Sequence, residues 1–204
     1  PKSVTHPNAS PTLDVLFQRI LARQPDALAL VDPFNKQRVT GDTPTQLTFA
    51  QADQAISSIA ARLVEAGLPP GSVIAVQMPN TIEFVLTAMA ALRAGLVVAL
   101  LPQLWRQSEL TIALNRIGAR AFAGVGRIEL VDHGELALNA AVEAFSIRHV
   151  FGFGSNLPEG MTPLEIVTSG MNGWLPPVVP DARKPAIISF DVTPEGFRAI
   201  PRNH

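Results

Sequence analysis

Between Ser72 and Phe153 the chain alternates short, largely apolar runs with stretches whose apolar residues recur every three to four positions. Ser72 to Met78 reads as a strand closed by Pro79-Asn80, Leu96 to Leu101 as a second, Ala119 to Gly124 as a third and His149 to Phe153 as a fourth. Thr81 to Ala94, Glu109 to Ile117 and Leu136 to Phe145 carry helical spacing between them. Leu96 to Leu101, apolar at every position, has the pattern of a strand in a sheet covered on both faces. The repetition therefore predicts an α/β fold, a mostly parallel sheet flanked by helices, with right-handed crossovers that spread helices over both faces. The helix over Thr81 to Ala94 is apolar on nearly all sides (Ile82, Phe84, Val85, Leu86, Met89, Leu92), so more than one neighbour must cover it.

The flanks are less regular. Leu13, Leu16, Phe17, Ile20 and Leu21 predict a helix over Asp14 to Gln24, stopped by Pro25. Ala27 to Val31 reads as a strand and the polar Asp32 to Thr45 as a hairpin or loop. Leu47-Thr48-Phe49 leads into a helix over Ala50 to Ala66, with Thr48 as N-cap and Gly67 past its end. Thr162 to Thr168 is expected to form a short helix with Pro163 in its first turn. Gly170 to Lys184 reads as loop and Pro185 to Phe190 as a last strand. Residues 1–10, polar with two prolines, read as a flexible N-terminal segment ahead of a domain over 11–204.

Composition excludes several classes of function. Of 204 residues, 47% are hydrophobic and 16% charged, which is enough apolar material for a core. Sixteen basic against 17 acidic residues give a net charge of −1 with no basic stripe, so no nucleic-acid partner is expected. The absence of cysteine rules out disulfides, thiolate metal sites and a cysteine nucleophile, and fits a cytoplasmic location. The richest apolar stretch, Val85 to Pro102, is broken by Arg93 and Gly95, so no membrane span is expected. The opening residues lack a signal-peptide core, and a start on Pro1 rather than Met reads as either a processed or an artificially made one.

Three segments, in this order, are similar to the N-terminal part of the adenylate-forming ligases, the family of acyl-CoA synthetases, aryl-acid ligases and peptide-synthetase adenylation domains. Leu47-Thr48-Phe49-Ala50-Gln51-Ala52-Asp53 resembles that family's L-T-Y-x-E-L-D. Gly67 to Phe84, with Gly71, Val76, Pro79-Asn80 and Glu83-Phe84, resembles G-V-x-x-G-D-x-V-A-I-x-L-P-N-s-x-E-F. Leu92-Arg93-Ala94-Gly95 with Leu101-Pro102 resembles L-K-A-G-A-V-x-V-P-L-N-P. None of the three offers a nucleophile or a metal site, and Thr48, Asn80, Gly95 and Pro102 read as caps and turns. The resemblance implies the fold of the N-terminal subdomain of such a ligase, with residues 11–204 a partial N-terminal domain.

The same resemblance puts the phosphate loop, T-S-G-T-T-G-x-P-K-G in the family, in the tail. Counting back from Pro201-Arg202-Asn203-His204, similar to P-R-S-H, Arg198 falls at the Lys and Phe197 at the Pro. Glu195 then falls at the second Gly, Thr193 at a Thr and Val192 at the first Gly, while Phe190 and Asp191 replace the opening Thr-Ser. Such a loop needs small residues so that backbone N–H groups reach phosphate, together with hydroxyl donors and a cation. Thr193 and Arg198 keep part of that chemistry and are the candidate phosphate-binding residues, with His204 a candidate for the substrate pocket. Val192 is β-branched, Pro194 removes a donor and Asp191 and Glu195 are carboxylates. Like charges ~4 Å apart near a surface repel by about 4 kcal/mol at an effective dielectric near 20. The loop is therefore expected not to bind ATP in the family's manner. An alternative reading of the tail is a strand, a turn at Pro194-Glu195-Gly196 and a frayed end.

Other constellations are weaker. Gly124-Val125-Gly126 and Gly152-Phe153-Gly154 lack the third glycine of a dinucleotide fingerprint and read as turn glycines. Asp132-His133 with Glu135 reads as a capping cluster, and Ser155 lacks a nucleophile elbow. Trp105 and Trp174 either pack over the sheet or line an acyl pocket. The resemblance implies ATP, Mg²⁺ and CoA for a full-length ligase, with the adenine, Mg²⁺ and catalytic-lysine positions beyond the equivalent of His204. No cofactor and no catalytic residue are expected in this chain alone. Two readings stay open, a ligase segment without activity of its own and a degenerate non-catalytic module. The expected partner is the remainder of the ligase polypeptide or, through an exposed apolar face, a second copy of the chain.

Overall fold

The structure, a computed structural model, describes residues 10–170, 173–193 and 196–204. The N-terminal segment expected to be loose lies, as far as residue 9, outside the described residues, as do Pro194 and Glu195.

Helix α1 (Leu13–Leu21) leads to β1 (Leu28–Val31), the short α2 (Lys36–Thr40) and β2 (Gln46–Thr48), which pairs antiparallel with β1. Helix α3 (Phe49–Glu65) starts in a full capping box: Gln51 N–H donates to Thr48 Oγ1 at 3.2 Å and Thr48 N–H to Gln51 Oε1 at 2.9 Å. Gly67 follows α3 with φ of 76° and Gly95 follows α4 with φ of 75°, a conformation that only glycine takes without strain. The central alternation is β3 (Val73–Val76), α4 (Ile82–Arg93), β4 (Val97–Leu100), α5 (Gln107–Ile117) and β5 (Ala121–Val125). A small hairpin, β6 (Arg127–Ile128) and β7 (Val131–Asp132), precedes α6 (His133–Glu143) and β8 (His149–Phe153). The chain closes with β9 (Thr162–Pro163), β10 (Pro185–Thr193) and β11 (Gly196–Asn203).

Seven strands form the main sheet in the order β11-β10-β4-β3-β5-β8-β9, parallel throughout except for β11. Successive residues of one strand feed opposite layers of core. Ile74 and Val76 pack with α3 and α4, whereas Ala75 joins Phe122, Leu110, Leu114 and the inner face of α6. The chain leaves β3 through α4 for β4 on one side and leaves β5 through α6 for β8 on the other. The carboxyl ends of β3 and β5 are thus the topological switch point, where open α/β sheets hold their ligands.

Three expectations need correction. The helix over Thr162 to Thr168 is absent: Thr162 and Pro163 extend the sheet beside Phe151 and Gly152, and Leu164 N–H donates to the Gly152 carbonyl at 2.8 Å. An edge strand tolerates Pro163, and burial of Leu164 on the sheet outweighs a single first-turn preference. The stretch Asp32 to Thr45, expected as a hairpin or loop, does connect the antiparallel pair β1 and β2, but it also holds α2, built around the buried Lys36. The end of the chain is not frayed: β11 pairs with β10 from Thr193↔Gly196 to Pro185↔Asn203.

Candidate functional site

The switch point opens into a crevice of about 410 Å³, whose lining includes Asn80, Thr81, Leu104, Arg106, Ile128 and His133. Three helices begin around it, α4 after N-cap Thr81, α5 after Arg106 and α6 after Asp132. Their positive ends converge there. Arg106 folds its guanidinium back, and Nη1 donates to the carbonyls of Gln103, Leu104 and Trp105 at 3.3, 3.1 and 3.2 Å. Asp132 Oδ1 accepts from Glu135 N–H at 3.0 Å, as a capping role requires. His133 is buried beside it. Burial and, next, the charge of Arg106 push its imidazole down to about 4, against a smaller opposing pull from Asp132, so it is neutral at pH 7. Thr81 Oγ1 and His133 Nδ1 are buried and have no hydrogen-bond partner among the described residues. Among the described residues no group of three or more His, Asp or Glu side chains could hold a metal ion.

Behind the crevice lies an ion triad that the sequence did not disclose. Lys36 Nζ donates to Asp32 Oδ2 at 2.8 Å and to Glu83 Oε1 at 2.5 Å, and all three side chains are buried. Asp32 Oδ1 also accepts from Ile82 N–H at 2.9 Å, and so caps α4 in place of Thr81, which makes no side-chain cap bond. Two carboxylates against one ammonium leave a buried net negative charge, which the α4 N-terminus helps to offset. The triad joins the β1–α2 turn to α4 and so fixes one wall of the crevice.

The segment that the resemblance places at the phosphate loop forms the β10–β11 hairpin. β10 aligns Ile187 with Val98 and Ile188 with Ala99, so the residues from Phe190 onward run past the end of β4. The register pairs Asp191 with Arg198, Val192 with Phe197 and Thr193 with Gly196. Asp191, Thr193 and Arg198 share one face, and Phe190, Val192 and Phe197 share the other. Thr193 Oγ1 donates its proton to the Gly196 carbonyl at 3.3 Å, within the turn. Val192 lies in the ladder, its side chain 71% exposed. The only non-glycine residue with positive φ among the described residues is Glu129. Among the described residues this segment is strand up to Thr193, with Asp191 opposite Arg198 in the ladder, and its backbone there is paired with β11 rather than gathered into a concave cradle.

The opposite face of the hairpin is aromatic. The ring centroids of Phe190 and Phe197 are 5.7 Å apart, and Trp105 lies 5.0 Å from the first and 4.5 Å from the second. Trp105 therefore packs over the sheet end, while Trp174 is largely exposed.

His204 is at the other end of the molecule. β11 runs antiparallel for 8 residues away from the hairpin tip, roughly 26 Å at 3.3 Å per residue. His204 lines a second cleft, of about 420 Å³, with Asp14 and Asp181, and its Nδ1 accepts from Leu13 N–H at 3.5 Å. Burial lowers its pKa, against the opposing charges of Asp14 and Asp181. Thr193 and Arg198 are thus together at the hairpin tip, and His204 is not with them. Of the groups around the crevice, Lys36, Thr81 and Arg106 had no sequence signal beyond their proximity to helix starts, whereas Asp132 and His133 stood out as a polar cluster.

The model of the AMP-binding enzyme family matches residues 17–189, ending just before the hairpin's outer segment. Human long-chain fatty acid transport protein 1 is 32% identical over 161 residues, 78% of this chain and 22% of that protein. The salicyl-AMP ligase / salicyl-S-ArCP synthetase of Mycobacterium tuberculosis is 27% identical over 196 residues, 95% of this chain and 33% of that protein. Among solved structures, the apo structure of Mycobacterium smegmatis MbtA superposes with a TM-score of 0.78 at 26% identity, covering 95% of this chain and 34% of that one. The chain spans between a fifth and a third of the length of these relatives and corresponds to an N-terminal segment of an acyl-CoA synthetase-like protein. Motif order, sheet topology and these matches agree, and the chain belongs to the AMP-binding enzyme family.

Proposed function

We propose that this chain supplies the N-terminal sheet of an AMP-forming acid–thiol ligase and performs neither half-reaction alone. The observation that carries the reading is the family match over residues 17–189 joined to a hairpin in which Asp191 faces Arg198. A full-length ligase of this kind takes ATP, Mg²⁺ and CoA, activates a carboxylic acid as its adenylate and passes the acyl group to a thiol. Here Thr193 and Arg198 are remnants of the loop that would hold the triphosphate. His204, far from them, would belong to a separate subsite. The partner is the remainder of the ligase polypeptide, and the compartment is the cytoplasm. No helix among the described residues is long and apolar enough to cross a membrane.

The test is pyrophosphate release by the purified chain with ATP, Mg²⁺ and a panel spanning salicylate and long-chain fatty acids. The expected result is no release above the protein-free rate. Acid-dependent release would overturn the reading.

A second reading, a degenerate module without catalysis, is favoured by the same Asp191–Arg198 pairing, because a working phosphate loop gains nothing from a carboxylate opposite its cation. The two part on one observation: a coding sequence that continues beyond His204 with family nucleotide motifs supports the segment, and a stop codon there supports the module.

A further inference from the structure

Two departures from the phosphate-loop motif are aromatic. Phe190 stands where the motif opens with Thr, and Phe197 where it has Pro. They are on different strands, in register positions that put both rings on one hairpin face, and both rings pack on Trp105. Arg116 of α5 closes the far side of Phe197, with its guanidinium 4.8 Å from the ring centroid and a hydrogen bond donated to the Phe197 carbonyl. Trp105 is itself held: its carbonyl accepts from Gln77 Nε2 at 3.1 Å, and its N–H donates to the Pro102 carbonyl at 3.1 Å. Gln77 is buried at the end of β3 and also donates to the Pro102 carbonyl at 2.9 Å. A continuous line of contacts thus runs from the centre of the sheet through the β4–α5 connection to the overhanging hairpin.

We propose that the β10–β11 hairpin is an aromatic clasp, in which Phe190 and Phe197 grip Trp105 and fasten the outer strand to α5. Two of the departures from the motif thus build this contact, and one of them, Phe190, also removes the opening hydroxyl. Past Phe190 the hairpin runs beyond the end of β4, so among the described residues the clasp, rather than a neighbouring strand, holds its outer part. The proposal rests on the reading that this hairpin stands at the phosphate-loop position, and its test is independent of nucleotide.

The test is hydrogen exchange on the intact chain. Trp105→Ala removes two ring contacts and is expected to speed exchange of the amides from Phe197 to Arg202 about tenfold, with β3, β5 and β8 unchanged. Trp105→Phe should restore most of the protection. Should Trp105→Ala fail to fold, Arg116→Met, which strips the outer side of Phe197, should show the same local acceleration. Unchanged exchange in the hairpin, or equal acceleration across the central strands, would overturn the clasp. ATP binding by the wild-type chain would instead sink the loop reading, a separate result from the exchange pattern.

Discussion

Asp191 and Arg198 stand directly opposite each other across the β10–β11 hairpin, on the face that carries Thr193. Arg198, the cation that the resemblance places in the phosphate loop, therefore works in the field of a carboxylate on the neighbouring strand. If that carboxylate suppresses anion binding, Asp191→Asn should strengthen pyrophosphate binding at low salt, by less than about fivefold because the pair is exposed and screened. Arg198→Gln added to it should abolish the gain. Titration calorimetry at two salt concentrations reads both effects, and no gain in the single variant argues against the carboxylate as the cause.

The buried triad makes a prediction about stability. Lys36→Met leaves Asp32 and Glu83 together without a cation and should cost about 3–5 kcal/mol in denaturant unfolding. The triple change Lys36→Met, Asp32→Asn, Glu83→Gln should recover part of that. Burial by itself lowers the Lys36 pKa, but hydrogen bonds and charges from Asp32 and Glu83 outweigh it and raise it above the ordinary 10.5. A raised folded-state value means that the stabilisation is full below the unfolded value and fades as pH rises through the folded one. Wild-type protein should thus lose stability above about pH 10.5 more steeply than the triple variant.

His133 sets the sign on the acid side. Its folded-state value, about 4 against an ordinary 6.5, means that the unfolded chain takes up the proton first as pH falls. Stability is complete above 6.5 and declines from there towards about 4. His133→Gln should flatten that limb of the stability curve relative to wild type, measured by urea midpoints from pH 7 to 4. An acid limb of unchanged slope would assign the loss to other groups.

Thr48→Ala removes one half of the capping box on α3 and leaves Gln51 N–H unpaired. The expected loss is about 1 kcal/mol, with Thr48→Ser close to neutral. Thermal melts of the three proteins decide it.

The sheet was legible because its signals are local and redundant. Leu96 to Leu101 could only be a doubly covered strand, and Gly95 and Gly67 mark helix ends through a backbone conformation that other residues avoid. The capping role of Thr48 followed from its place before an apolar-periodic run. Where a segment was short, one preference misled: Pro163 fits a helix start, yet the sheet edge beside Phe151 offered more burial. The hairpin β6–β7 was missed because each of its strands is only 2 residues long, and strand β11 because it carries Pro201. Lys36 was invisible for another reason. A lone lysine in a polar loop is ordinarily solvated, and only the fold brings Glu83 to it across 47 residues of sequence. Trp105 is intermediate, since its packing role was one of two readings and its partners Phe190 and Phe197 were noticed only as departures from a motif.

If the hairpin at Thr193 and Arg198 is unfit for nucleotide, isothermal titration of the purified wild-type chain with Mg²⁺-ATP shows no saturable heat up to millimolar ATP. A micromolar dissociation constant that disappears in Arg198→Gln would contradict it, because the loop would then be binding triphosphate despite Asp191.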